Sequence, residues 1–209
     1  MTRRPLKSRG RTWAVLAAQR LARANVRPNL ISLASVLFAA AASLCLLLAE
    51  GRMVCFLAAA GFIQLRLLCN LLDGMVAIEG GLKSKSGEIY NDLPDRLSDA
   101  LLLVLAGYSI AWPDWSRELG WSAALVAVMT AYIRVLGGAV GLPQDFSGPM
   151  AKPHRMAVLT AACIGAAIET AIGAPQRSIA VALLLILIGS AVTTVRRTTR
   201  IVHQLESSS

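Results

Sequence analysis

Aromatic residues make up only 5% of this 209-residue chain, and charged residues only 16%. A water-soluble domain typically carries about a quarter of its residues as charge, so that class is excluded. The 56% of residues that are hydrophobic are therefore mainly aliphatic: Leu, Ala, Val and Ile. There are only two histidines and four cysteines. Cys45, Cys55, Cys69 and Cys163 lie in apolar stretches without metal or redox spacing and read as small buried hydrophobes. No ten-residue stretch alternates as a barrel strand would, so an all-helical membrane protein is expected. No internal repeat, low-complexity tract or cleavable signal peptide stands out. The net charge of +9 would raise nucleic acid as a partner in a soluble protein. Here the bases sort by position, which points to membrane topology and anionic lipid, with no nucleic acid.

A bilayer core of about 30 Å needs about 20 helical residues. Six segments qualify: Leu30 to Ala49, Met53 to Leu72, Leu93 to Trp112, Leu119 to Val140, Arg155 to Ile172, and Ile179 to Val195. The third is the weakest, because Asp95 and Asp99 lie in its first turns. The expected architecture is six transmembrane helices preceded by an N-terminal amphipathic interfacial helix.

Residues 1–28 hold eight bases and no acid. With six spans that side also receives Arg66, Lys83, Lys85, Arg96, Arg134, Lys152, Arg155, Arg196, Arg197 and Arg200. The opposite side receives only Arg52, Arg117 and Arg177. Both termini are therefore expected in the cytoplasm. Trp13, Leu16, Ala17, Arg20, Leu21 and Ala24 follow helical spacing, the pattern of a helix lying on a membrane surface; a disordered basic tail is the alternative. Trp112, Trp115 and Trp121 flank an outer loop like an interfacial belt.

Six of the twelve carboxylates fall between residues 73 and 99: Asp73, Glu79, Glu88, Asp92, Asp95 and Asp99. Asn70 and Asp73 are three apart and share a helix face. Asn91, Asp95 and Asp99 step by four, with Asp92 near the same face. Pro94 belongs in a first helical turn or at a kink, and would delay the start of that helix. Gly74, Ala77 and Gly87 are small where a ligand or backbone needs close approach. Carboxylates near a membrane core are costly and mark function. Oxygen donors without paired His or Cys favour Mg²⁺, Mn²⁺ or Ca²⁺ over zinc. The competing reading is a solvated acidic loop.

This stretch resembles the signature of the CDP-alcohol phosphatidyltransferase family. It matches at Asp73, Gly74, Ala77, Gly87 and Asp95 with the right spacing. It departs where Asn70 and Asn91 replace two of the motif's four aspartates and where Ile78 replaces an arginine. The six-span plan, Val26-Arg-Pro-Asn29 before the first span and Tyr132-Ile-Arg134 late in the fourth are also similar to the family, so the resemblance covers most of the chain. It implies a bacterial integral membrane enzyme of the cytoplasmic (inner) membrane, with its active site on the cytoplasmic side. Such an enzyme moves a phosphatidyl group from CDP-diacylglycerol to the hydroxyl of a small alcohol, releasing CMP. It implies Mg²⁺ (or Mn²⁺) held at the motif positions Asn70, Asp73 and Asn91, with Asp95 as the base or as ligand plus base. Beyond the resemblance, Asp92 is a further candidate ligand that would restore charge lost at the asparagines, and Asp99 is the expected base if Asp95 joins the metal. Gly74, Ala77, Gly87 and Glu79 would line the nucleotide.

Arg134, Lys152 and Arg155 converge on the same side and would hold a phosphate or carboxylate of the acceptor; ordinary positive-inside charge is the alternative. A small polyol, phosphorylated or not, is the expected acceptor, with glycerol 3-phosphate favoured. Gly137 and Gly141 form a small-xxx-small pair, a sign of close helix packing or of a homodimer. The expected organisation is a basic juxtamembrane amphipathic segment (1–28), a six-helix transferase-like membrane domain (29–196) and a basic, then frayed tail (197–209). Two other readings stay open: a non-catalytic relative that binds CDP-lipid, motivated by Asn70 and Asn91, and an ion-coupled transporter. The transporter fits poorly, because Glu169 is the only acid in the last three spans.

Overall fold

The computed structural model describes residues 12–79 and 87–207. Among these, all regular structure is helical: α1 (Thr12–Arg23), α2 (Pro28–Leu47), α3 (Met53–Glu79), α4 (Gly87–Tyr108), α5 (Ser116–Ala139), α6 (Lys152–Ala171) and α7 (Ser178–Ser207). All six apolar segments of the sequence are helices, α2 to α7. The bases between residues 3 and 11, with Lys83 and Lys85, lie outside the described residues.

Four helices are long and apolar enough to cross a membrane: α2, α3 as far as Ala77, α5 and α7. α4 and α6 fall short because of polar side chains. α4 carries Asp92, Asp95, Arg96 and Asp99, and α6 opens on Lys152-Pro-His-Arg155 and holds Glu169 near its end.

α2 packs on α3 and α4, α5 packs on α4 and α7, and α6 packs on α3 and α7. The helices thus close into a ring in the order α2, α3, α6, α7, α5, α4. The ring interior is filled largely by small residues, including Ala39, Ala42, Ala59, Ala106, Ala123, Ala127, Ala162 and Ala166. Small side chains let helix backbones approach, which is how membrane helices gain packing energy without a hydrophobic drive. α4 and α5 approach backbone to backbone at two glycines. A Cβ on Gly107 would lie 2.5 Å from the Ser116 carbonyl oxygen, and one on Gly120 would lie 2.8 Å from that of Leu103.

α1 buries Ala14 and Ala18 in a second, smaller cluster with Ile31, Leu71, Met75 and Val76, while Trp13 and Leu16 stay exposed. Two expectations change. Pro94 does not mark a first turn, since α4 already begins at Gly87. A proline inside a helix removes its own N–H bond, and here the helix continues through that loss. Asn91 is accordingly a helical residue one turn before Asp95. Gly137 is in close packing, but within the chain: a Cβ there would meet the Ile201 side chain of α7 at 3.0 Å. Gly141 lies beyond α5 with φ +88°, a turn conformation open to glycine.

Candidate active site

The end of α3, the start of α4, the start of α2, the end of α5 and the start of α6 meet at one end of the ring. α3 contributes Arg66, Asn70 and Asp73 from successive turns of one face, and α4 contributes Asp92, Asp95 and Asp99. The two faces touch. The Asn70 side-chain amide donates to Asp95 Oδ1 at 2.9 Å. Spacing along each helix placed these residues on two faces, and the ring brings the faces together.

Among the described residues, Asp99 is the most enclosed carboxylate, with only 2% of the residue exposed. Arg66 Nη2 donates to its Oδ1 at 2.8 Å, and Arg155 Nη2 to its Oδ2 at 3.2 Å. Arg155 also donates to Thr130 Oγ1 of α5 and to the Met150 carbonyl oxygen. Four helices (α3, α4, α5 and α6) and the loop before α6 are thus tied at one buried point.

Asp95 is partly open. Its Oδ2 is ion-paired with Lys152 Nζ, and its Oδ1 receives Arg66 Nη2 at 3.3 Å as well as Asn70. Asp92 is gripped from two sides. Arg134 Nη2 lies 2.7 and 2.8 Å from its two oxygens, and Arg96, one turn along α4, donates at 2.7 Å. The Arg134 guanidinium also lies over the Phe146 ring, 5.1 Å from its centroid.

Asp73 differs from the other three. It is 3% exposed, and it accepts from the Ser32 hydroxyl at 2.8 Å and from the Gly74 backbone N–H. Among the described residues no ion pair reaches it. A buried carboxylate without a cation is costly, so this position calls for one.

The three bases expected around an acceptor are all here, and each faces an aspartate: Arg134 faces Asp92, Lys152 faces Asp95 and Arg155 faces Asp99. Gly74 and Ala77 follow Asp73 on α3, and Gly87 opens α4. The side chains of Glu79 and Asn91 lie outside the described residues. Among the described residues, no three His, Cys, Asp or Glu side chains converge as a ready-made metal cage. Asp73, Asp95 and Asn70 offer carboxylate and carbonyl oxygens, which suit a hard divalent ion rather than zinc.

Sequence reasoning missed Arg66, Ser32 and Ser35 as site residues. Arg66 was counted only as a topology charge, yet it is fully buried. The signal was present: an arginine inside an apolar run, one turn before Asn70. Ser35 donates to Asn70 Oδ1 at 2.5 Å. Nothing in its local sequence separates it from the other serines of α2.

The loop between α5 and α6 is pinned to α7. Arg197 donates to the Ser147 and Thr130 carbonyl oxygens, and Arg200 to Asp145. Thr193 Oγ1 accepts from the Met150 N–H at 3.1 Å. Lys152 therefore leaves a fixed loop.

No protein-family model and no curated protein matches the chain. Solved structures do. Phosphatidylinositol phosphate synthase (PgsA1) of Mycobacterium tuberculosis, with CDP-DAG bound, is 22% identical, with a TM-score of 0.74; the match covers 90% of this chain and 92% of that one. The same synthase in complex with manganese and citrate is 21% identical, with a TM-score of 0.72, covering 90% and 88%. The chain therefore shares the helical fold of this synthase over nine-tenths of its length, in agreement with the resemblance of its acidic motif.

Proposed function

We propose that the chain is a CDP-alcohol phosphatidyltransferase. It would move a phosphatidyl group from CDP-diacylglycerol to the hydroxyl of a small, phosphorylated polyol and release CMP. The observation that carries this reading is the Asn70–Asp95 contact, which joins the two halves of the motif at one end of a fold shared with a CDP-DAG-binding synthase.

A divalent cation, Mg²⁺ or Mn²⁺, would be held at Asp73, with Asn70, Asn91 and Asp95 as further candidate donors. Bound there, it would neutralise charge on the diphosphate. Asp92 drops out of that set because its oxygens are committed to Arg134 and Arg96. Gly74, Ala77, Gly87 and Glu79 remain candidates for the nucleotide.

In the transfer, the acceptor oxygen forms a bond to the lipid-linked phosphorus, and the bond from that phosphorus to CMP breaks. The hydroxyl proton goes to Asp95, the more open of the two candidate bases. Asp99 keeps both oxygens on guanidinium groups, the arrangement of an anchor, so it is not given the base role. Lys152 is positioned to leave Asp95 Oδ2 for an acceptor phosphate, which frees that oxygen for the proton. Arg155 stays on Asp99 and ties α6 to α4 behind Asp95.

The proposal includes six membrane-spanning helices, because α4 and α6 complete the ring and turn their charges into it. It includes α1 as a surface helix, with Trp13 and Leu16 exposed to lipid. Both termini and the site face the cytoplasm, from the distribution of bases, and the host is a bacterial cytoplasmic membrane. The divisions at residues 28 and 196 and a homodimer belong to the same reading.

The test is CMP release from purified protein given CDP-diacylglycerol, Mg²⁺ or Mn²⁺, and a panel of alcohols including glycerol 3-phosphate and an inositol phosphate. Metal-dependent CMP with one phosphorylated polyol, lost in Asp73→Ala, is expected. No CMP with any acceptor, and identical behaviour of Asp73→Ala, overturns the enzyme. A second reading, a CDP-lipid-binding protein without turnover, is favoured by the cations that engage Asp92, Asp95 and Asp99. It predicts that CDP-lipid binds with no CMP formed.

A further inference from the structure

We infer that this site is built for a single divalent cation, with Arg66 and the Asn70 amide occupying the side of Asp95 that a second ion would serve. The inference rests on the transferase reading and concerns how the chain balances charge within it.

The first observation is the contact between α3 and α4. Asn70 Nδ2 lies 2.9 Å from Asp95 Oδ1, and Ser35 donates to Asn70 Oδ1 at 2.5 Å. An ionised carboxylate only accepts, so the amide nitrogen must face Asp95. Two carboxylates at this separation would repel unless a cation sat between them. The amide closes the gap directly, with a hydrogen bond where a bridging ion would otherwise be required.

The second observation is Arg66. It stands one turn before Asn70 on α3, is fully buried, and places Nη2 3.3 Å from Asp95 Oδ1 and 2.8 Å from Asp99 Oδ1. A guanidinium keeps its charge in such a place, and its fork can serve two carboxylates at once. Lys152 covers the other oxygen of Asp95. Positive charge at Asp95 is therefore part of the polypeptide.

The third observation is the contrast with Asp73. Its partners are a hydroxyl and a backbone N–H, and no ion pair reaches it among the described residues. Among the described residues, Asp73 is the aspartate of the site left for a cation to serve. Relative to the four-aspartate pattern, the motif positions carry two fewer negative charges. One divalent ion fewer restores the same balance.

The experiment is a Mn²⁺ titration of the full-length protein in detergent with CDP present, read by electron paramagnetic resonance. One bound Mn²⁺ per chain, with no spin–spin broadening, is expected. Asn70→Asp together with Asn91→Asp should still bind one ion, because Arg66 remains. Adding Arg66→Met should raise the count to two and introduce dipolar broadening. If the triple variant does not fold, the wild type and the double variant still decide. Two ions in the wild type, or two in the double variant with Arg66 intact, overturn the inference, as does no bound ion. The count is read without turnover, so it separates from the functional reading. Two ions with CMP release would sink the inference alone; one ion with no CMP release would sink the transfer alone.

Discussion

The two halves of the helix ring are held together by opposite means. Away from the site, α4 and α5 meet through Gly107 and Gly120, and the core is mostly alanine and aliphatic side chains. At the site end, Asp92, Asp95 and Asp99 are set against Arg66, Arg96, Arg134, Lys152 and Arg155. The apolar half gains from close packing, which is additive and tolerant of similar small residues. The charged half pays desolvation for every buried ion and recovers it only while partners stay in place. That is a poor way to gain stability and a good way to hold oxygen and nitrogen atoms at fixed positions. The difference marks which half was shaped by chemistry.

The sharpest break in the comparison is at Asp95. Asp95→Asn should lower CMP release by about 10²- to 10⁴-fold, the usual contribution of a general base. A variant with wild-type release would move the base elsewhere. Next is Asp99, which should act on stability rather than on the proton. Asp99→Asn leaves Arg66 and Arg155 facing a neutral amide and should cost about 3–5 kcal/mol, read as detergent thermal unfolding. A stable Asp99→Asn protein with no turnover would instead return Asp99 to the role of base.

In the packed half, Gly107→Ala should cost about 1–3 kcal/mol, because its methyl meets backbone that cannot yield. An unchanged melting point would show that α4 and α5 can separate without loss. The smallest effect is expected at the rim. Partial burial pushes the Asp145 carboxyl up, but bonds from Ser147 and Arg200 outweigh it and hold it below the ordinary value. Its contribution is present above the unfolded pKa of about 3.9 and is lost as pH falls through the depressed folded value. Arg200 is more than half exposed, so the pair should be worth only about 0.2–1 kcal/mol. Asp145→Asn should remove that much at pH 7 and nothing at low pH; an equal loss at both would assign the effect to packing.

The helices were legible because a bilayer-length apolar run leaves few alternatives. The faces of Asn70 with Asp73, and of Asp95 with Asp99, followed from helical period. The pairings across the ring were not legible. Arg134 with Asp92 and Lys152 with Asp95 join residues 42 and 57 apart, and no local rule selects them. Nor did the sequence show that each of the three bases expected around an acceptor would also pair with an aspartate. Pro94 misled for a local reason, since its propensity was outweighed by a helix that begins at Gly87. Ser32 and Ser35 gave no signal, because their meaning comes only from the residues opposite them.

The sequence by itself determined the all-helical architecture with its long apolar segments and the acidic motif with its two asparagines. These depend on composition and on the period of a single helix. Only the tertiary structure decided that both Asp99 oxygens meet guanidinium groups, that Arg66 is buried beside Asp95 and Asp99, and that Asp73 alone of the four aspartates has no ion pair among the described residues. Those facts depend on which helix faces meet when the ring closes, and a charge has no role until its partner is in place.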